Sequence, residues 1–205
     1  MQTKQIIAAG KRLAEAEKAL ILVHGRGADA QDILSLAEYL NVKDFALLAP
    51  QATNHSWYPY SFLAPQQHNE PWLSSALYIL ENLMNKVVAS GISAENTYFL
   101  GFSQGACLVL EFTTRNAQRF GGVVAFSGGL IGQQLQLENY QTDFQQTPVF
   151  LGCSDVDPHI PLERVQESGS VLQQKNADLI LKIYPNMGHT VNEDEIKTVN
   201  DRIFL

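Results

Sequence analysis

Tyr98-Phe99-Leu100-Gly101-Phe102-Ser103-Gln104-Gly105-Ala106 decides how this chain is read. An apolar, β-prone run ends at a serine that has a glycine two residues away on each side. A helix-forming run, Ala106-Cys107-Leu108-Val109-Leu110-Glu111-Phe112, follows at once. The pattern is G-x-S-x-G in a strand–turn–helix setting, in which a tight turn lifts the serine oxygen above the end of a strand. Larger residues at 101 and 105 would collide with neighbouring backbone, and the serine itself is expected in a strained conformation.

Working outward, strands and helices alternate along the chain. Ala19 to His24 is a short continuous apolar run, as expected of a strand buried on both faces. Asp29 to Leu40 carries apolar residues at 33, 34, 36, 37 and 40, a helical stripe. Phe45 to Ala49 reads as a second strand closed by Pro50. Residues 51–70 form a long polar and aromatic loop holding Trp57, Tyr58, Tyr60 and Phe62. Pro71 opens a helix to about Ala89, with Gly91 just beyond it. After the Ser103 turn come strands at Gly122–Ser127, Pro148–Cys153 and Leu179–Tyr184, with helices at Leu162–Asn176 and Val191–Phe204. Met1 to Lys18 mixes charges with spaced apolar residues and is predicted to be an N-terminal amphipathic helix. The alternation predicts the α/β class: one domain over residues 1–205, a mainly parallel central sheet with helices on both faces, and no large lid domain.

Composition bounds the partners. The 205 residues are 45 % hydrophobic and 17 % charged, an ordinary globular mixture. The net charge of −7, with no basic cluster, argues against nucleic acid and anionic membrane surfaces. No apolar run approaches the roughly 20 residues needed to span a bilayer, so stable membrane insertion is not expected. Cys107 and Cys153 both lie in apolar runs and read as buried free thiols. The cytoplasm is the expected compartment.

A serine hydroxyl is a poor nucleophile at neutral pH and needs a base within hydrogen-bond reach, itself oriented by a third group. Only His159 and His189 follow Ser103. His189 lies just past the last strand and before the last helix, and is the preferred base. The orienting acid should follow the strand Pro148–Cys153, where Asp155 and Asp157 both stand; Asp157, stiffened by Pro158, is preferred. Acyl transfer also needs donors aimed at the oxyanion. The Gln104 amide supplies one. The glycine-rich turn His24-Gly25-Arg26-Gly27 offers the Arg26 amide as the second, leaving its side chain free for other work. His24 reads as a structural residue beneath that turn.

These pieces together resemble the phospholipase/carboxylesterase family of α/β-hydrolases. The matching segments are Val23-His24-Gly25-Arg26-Gly27, Ala49-Pro50, Ser56-Trp57-Tyr58, Leu100-Gly101-Phe102-Ser103-Gln104-Gly105, Asp155-Val156-Asp157-Pro158-His159-Ile160-Pro161 and Gly188-His189. The resemblance implies Ser103 as nucleophile, Asp157 as acid and His189 as base, with the Arg26 and Gln104 amides as oxyanion hole. It implies a cofactor-free serine hydrolase that cleaves small or medium acyl esters through an acyl-enzyme, and it allows a homodimer. Trp57, Tyr58 and His159 are candidates for the substrate pocket.

Departures bear on substrate. Arg26 stands where long-chain thioesterase members usually carry leucine. Trp57-Tyr58-Pro59 replaces their Trp-Phe-Asp, and Gly152-Cys153-Ser154-Asp155 their His-Gly-Asp segment. The closer resemblance is to small bacterial-type carboxylesterases. Acyl thioester or lysophospholipid hydrolysis on the same three residues is the alternative. A retired hydrolase scaffold serving as a binding protein, and metal chemistry on His55, His68, Glu70 and His159, are weaker readings; the histidines lack ligand spacing, and no metal is expected.

Overall fold

The computed structural model describes residues 5–205. Seven strands form one sheet: β1 (Ile6–Gly10), β2 (Lys18–Val23), β3 (Phe45–Pro50), β4 (Thr97–Phe102), β5 (Gly122–Phe126), β6 (Pro148–Ser154) and β7 (Asp178–Tyr184). Their order across the sheet is β1-β3-β2-β4-β5-β6-β7. Every pairing is parallel except that of β1 with β3. The helices are α1 (Ala30–Ser35), α2 (Trp72–Ala89), α3 (Gln104–Arg115), α4 (Leu162–Gln174) and α5 (Glu193–Arg202). The expected α/β architecture is observed.

The central strands explain the two-layer packing. In β2, Ala19, Ile21 and Val23 face one core cluster while Leu20 and Leu22 face the other, all without solvent exposure. Such alternation buries a strand on both faces, and each large apolar side chain so buried contributes about 1.5–3 kcal/mol. The first cluster receives α2, α3 and α4 through residues such as Leu80, Val109 and Leu172. The second receives α1 and α5 through Ile33, Leu34 and Val199.

The N-terminal segment departs from its sequence reading. Where an amphipathic helix over residues 1–18 is predicted, Ile6–Gly10 form a strand; residues 1–4 of that segment lie outside the described residues. Ile6 packs toward one core layer and Ile7 toward the other, a period of two rather than 3.6. Pairing with β3 gives the backbone its partners, from Ile6 opposite Pro50 to Gly10 opposite Ala46. The β-branched pair and the free edge of β3 outweigh the helical spacing of the charges. The predicted helix 29–40 also shortens: after Ser35 the chain tightens into a 3₁₀ turn, Leu36–Tyr39.

This topology prepares one crevice. The chain moves from β2 to β3 on one side, then returns to place β4 on the other side of β2. The loops that follow β2, β4, β6 and β7 leave their strands at carboxyl ends on one edge of the sheet, where open parallel sheets bind ligands.

Candidate active site

Ser103 occupies the turn between β4 and α3 with φ 55° and ψ −120°, in the positive-φ region that side chains rarely adopt. Its N–H donates to the Phe126 carbonyl at 3.0 Å and its carbonyl accepts from Cys107 N–H at 3.0 Å, so the strained turn is held from both sides. The glycines are sterically required. A Cβ at Gly105 would stand 2.0 Å from the Val23 carbonyl oxygen, and one at Gly101 2.4 Å from the Gly105 oxygen. The close approach of β2, β4 and α3 is therefore written into two residues of the pentapeptide.

His189, on the loop between β7 and α5, reaches Ser103 from across the sheet edge. Its Nε2 lies 2.8 Å from Ser103 Oγ and its Nδ1 2.7 Å from Asp157 Oδ2. With Nδ1–H donating to the carboxylate, Nε2 is left to accept the serine proton. The Asp157 side chain is fully buried and that of His189 is 18 % exposed. Burial works to raise the Asp157 pKa. The hydrogen bonds from His189 and from the His159 and Ile160 amides outweigh it and hold the carboxyl below its usual range. Asp157 thus stays ionised beside the imidazole. The buried Cys153 thiol lies 3.7 Å from the same Oδ2, and its own pKa is pushed up to about 12 by burial and by Asp157, so it is a neutral donor.

The rival residues serve other ends. Asp155 accepts the Asn186 N–H at 2.8 Å, and Ser154 Oγ accepts the Gly188 N–H at 3.1 Å. Together they brace the loop that presents His189. His159 does not bond Ser103; its ring packs edge-on to His189 at 4.8 Å, and the Phe102 ring is 5.0 Å from the same imidazole. His24 is buried beneath the first turn, with Nδ1 2.7 Å from the Gly25 carbonyl and Nε2 accepting from Ala52 N–H at 3.1 Å. Burial lowers its pKa, against the pull of the Gly25 carbonyl, which suits a neutral structural imidazole.

A cleft of about 440 Å³ opens beside Ser103. Arg26, Gln104, Tyr58, Tyr60, Phe62, Cys107, His159, Ile160 and His189 are among its lining residues. Arg26 and Gln104 line the cleft with the serine, and Gln104 is the first residue of α3, whose N-terminal end carries partial positive charge. Among the described residues, neither amide N–H has a protein acceptor.

Two pocket expectations change. Trp57 does not line the cleft; it is fully buried, its Nε1 donates to the His24 carbonyl at 2.8 Å, and its N–H donates to the Gln104 side chain at 2.9 Å. Nor is the Arg26 side chain free. Its guanidinium donates to Ser56 Oγ and to the carbonyls of Pro59, Tyr58 and Tyr60 at 2.8–3.0 Å, which fastens the aromatic wall. Tyr58 and His159 do line the cleft as expected. Sequence reasoning missed Phe102, Ser154 and Asp155 as supports of His189; the signal for Phe102 lay inside the pentapeptide, whereas the loop braces depend on long-range contacts.

The four residues proposed for metal chemistry are not brought together. His55 Nδ1 lies 2.8 Å from the Ala28 carbonyl, His68 packs against Tyr60, Glu70 accepts from Ser74 N–H, and His159 stands on His189. Among the described residues, no group of three His, Cys, Asp or Glu side chains is arranged to hold a metal ion. No helix among them is long and apolar enough to cross a membrane.

The fold and this geometry find counterparts among known proteins. A crystal structure of a phospholipase/carboxylesterase from Dyadobacter fermentans is 51 % identical, with a TM-score of 0.98, covering 100 % of this chain and 98 % of that one. Acyl-protein thioesterase 1 of Kluyveromyces lactis is 27 % identical over 202 residues, covering 89 % of each chain. A probable carboxylesterase, SOBER1-like, of Arabidopsis thaliana is 28 % identical over 145 residues; that match covers 69 % of this chain and 55 % of the plant protein. The family described as phospholipase/carboxylesterase matches residues 2–204. With its α/β sheet and its serine turn, this chain belongs to the phospholipase/carboxylesterase family.

Proposed function

We propose that the protein is a serine esterase in which Ser103 attacks the carbonyl carbon of a carboxylic ester. His189 takes the serine proton on Nε2 as the bond forms, and Asp157 holds the ring and stabilises the imidazolium. The negative charge that develops on the carbonyl oxygen is received by the Arg26 amide in the turn after β2 and the Gln104 amide at the start of α3. His189 then gives its proton to the departing alcohol. Water repeats the sequence on the acyl-enzyme and releases the acid.

One observation carries this reading: a single imidazole bridges Ser103 at 2.8 Å and the buried Asp157 carboxylate at 2.7 Å. The test is labelling by a fluorophosphonate together with hydrolysis of p-nitrophenyl acetate. Ser103→Ala is expected to abolish labelling and lower kcat by about 10⁴-fold or more. Normal turnover in that variant removes the assignment, and a wild-type protein that neither labels nor hydrolyses points to a binding scaffold.

Thioester hydrolysis is the second reading, favoured by the relatives named acyl-protein thioesterase. The same residues serve both reactions, so matched oxygen and sulfur esters of one acyl group separate them. The proposal includes a small-molecule substrate, a cytoplasmic location and a homodimer; cell fractionation and sedimentation test the last two.

A further inference from the structure

His189 borders two clefts. The first is the aromatic one described above. A second, of about 480 Å³, also borders His189 and is lined by Asp32, Ile33, Leu36, Phe102, Thr190 and Val191. The two share Gly25, Ala28, Phe102 and His189. Leu36 and Val191 continue into a further groove of about 680 Å³ bordered by Tyr39 and Ile196. Tyr39 is 67 % exposed there, and the far end of this path mixes apolar side chains with Asn41, Asn192 and Asn200.

The distribution of groups between the clefts assigns their occupants. Ser103, Arg26 and Gln104 line only the first. The acyl carbon bonded to Ser103, with its oxygen on the two amides, therefore starts in the aromatic cleft. His189 lines both, and its Nε2 proton goes to the leaving oxygen, so the leaving group departs along the side that His189 shares with Thr190 and Val191.

We propose that the second cleft binds the alcohol portion of the substrate, and that this alcohol is an uncharged aliphatic chain. The proposal rests on the esterase reading above. The walls supplied by Ile33, Leu36 and Val191 are aliphatic. The charged groups along the path are mainly acidic: Asp32, Glu193 and Asp201, with Lys197 already paired to Asp201. An alcohol carrying a phosphate would meet like charge there. The scissile step is unchanged: the carbonyl carbon forms a bond to Ser103 Oγ, the bond to the alcohol oxygen breaks, and that oxygen leaves with the His189 proton.

The test keeps the acyl group constant and varies the alcohol. Acetate esters from methyl to hexyl are expected to show kcat/KM rising about twofold per methylene, roughly the square root of the gain for full burial because the cleft is open, or on the order of 30-fold overall. Leu36→Asp and Leu36→Trp should each reduce the hexyl-to-methyl ratio about tenfold, one by wetting the cleft and the other by filling it. Circular dichroism and thermal melting confirm that each variant is folded. Hydrolysis that depends on Ser103 but is indifferent to alcohol length overturns the inference and leaves the esterase reading intact. So does a Leu36 variant that alters acyl-length preference instead, or faster turnover of an acetylated glycerol phosphate than of hexyl acetate. Absence of any Ser103-dependent ester hydrolysis fails the esterase reading itself.

Discussion

The Arg26 guanidinium donates to the Tyr60 carbonyl at 2.8 Å, and so ties the turn that carries one proposed oxyanion amide to the aromatic wall of the cleft. Ser56 and the carbonyls of Tyr58 and Pro59 complete the attachment. Replacing Arg26 by methionine keeps the backbone amide and removes all four bonds. Steady-state kinetics should show kcat/KM falling about tenfold, mostly through KM, because the wall rather than the oxyanion donor is loosened. Lysine should not restore it, since one ammonium cannot span acceptors arranged for a planar fork.

Gly105 permits the contact between α3 and β2. Gly105→Ala would set a methyl group 2.0 Å from the Val23 oxygen, in backbone that has no room to yield. The expected loss is at least about 3 kcal/mol of unfolding free energy, read by urea titration of the purified protein. A variant as stable as wild type would mean that the serine turn is looser than its geometry.

Glu195 on α5 is fully buried, closes a capping box with Asn192, and leaves its Oε1 without a partner. Burial raises its pKa to about 7 from the ordinary 4.5. The folded protein therefore binds a proton that the unfolded chain releases, and stability falls as pH rises from about 4.5 through about 7. Glu195→Gln keeps the cap and removes the charge. It should flatten this fall and be more stable than wild type at pH 8, by on the order of 3 kcal/mol, with no advantage below pH 4.5. Urea midpoints measured across that range check the sign.

His159 and Phe102 both pack against the ring of the proposed base. His159→Ala should lower kcat/KM about fivefold by freeing the His189 ring, with Ser103 still labelled by fluorophosphonate. His159 should not substitute for His189: in His189→Ala the turnover should drop by several orders of magnitude, as in Ser103→Ala.

The parallel strands, and the segments that bring Ser103, Asp157 and His189 together, were legible because their signals are local. The run from Tyr98 to Ala106 contains its own strand, turn and helix start, and the short run Ala19–Val23 can be buried on both faces only inside a parallel sheet. Asp157 and His189 were proposed from their positions after β6 and β7, and the structure brings both to Ser103. What escaped depends on partners distant in sequence. Ile6 and Ile7 become strand residues only because the β3 edge needs a neighbour. Trp57 looked like a pocket aromatic because it matches a family position beside the site, yet its indole is committed to the His24 carbonyl. The second cleft joins α1 to the segment before α5, and no spacing of residues announces that meeting.

That commitment of Trp57 has a spectroscopic consequence. The chain holds two tryptophans, and they report on different places. Trp72, at the start of α2, is partly exposed, whereas Trp57 is sealed between His24 and the amide side chain that follows the serine. A Trp72→Phe protein would emit only from the buried indole beneath the turns that flank Ser103. Its emission should be blue-shifted in the folded state and move to the red as soon as the two turns around Ser103 part, which makes this residue a built-in gauge of whether the crevice is assembled.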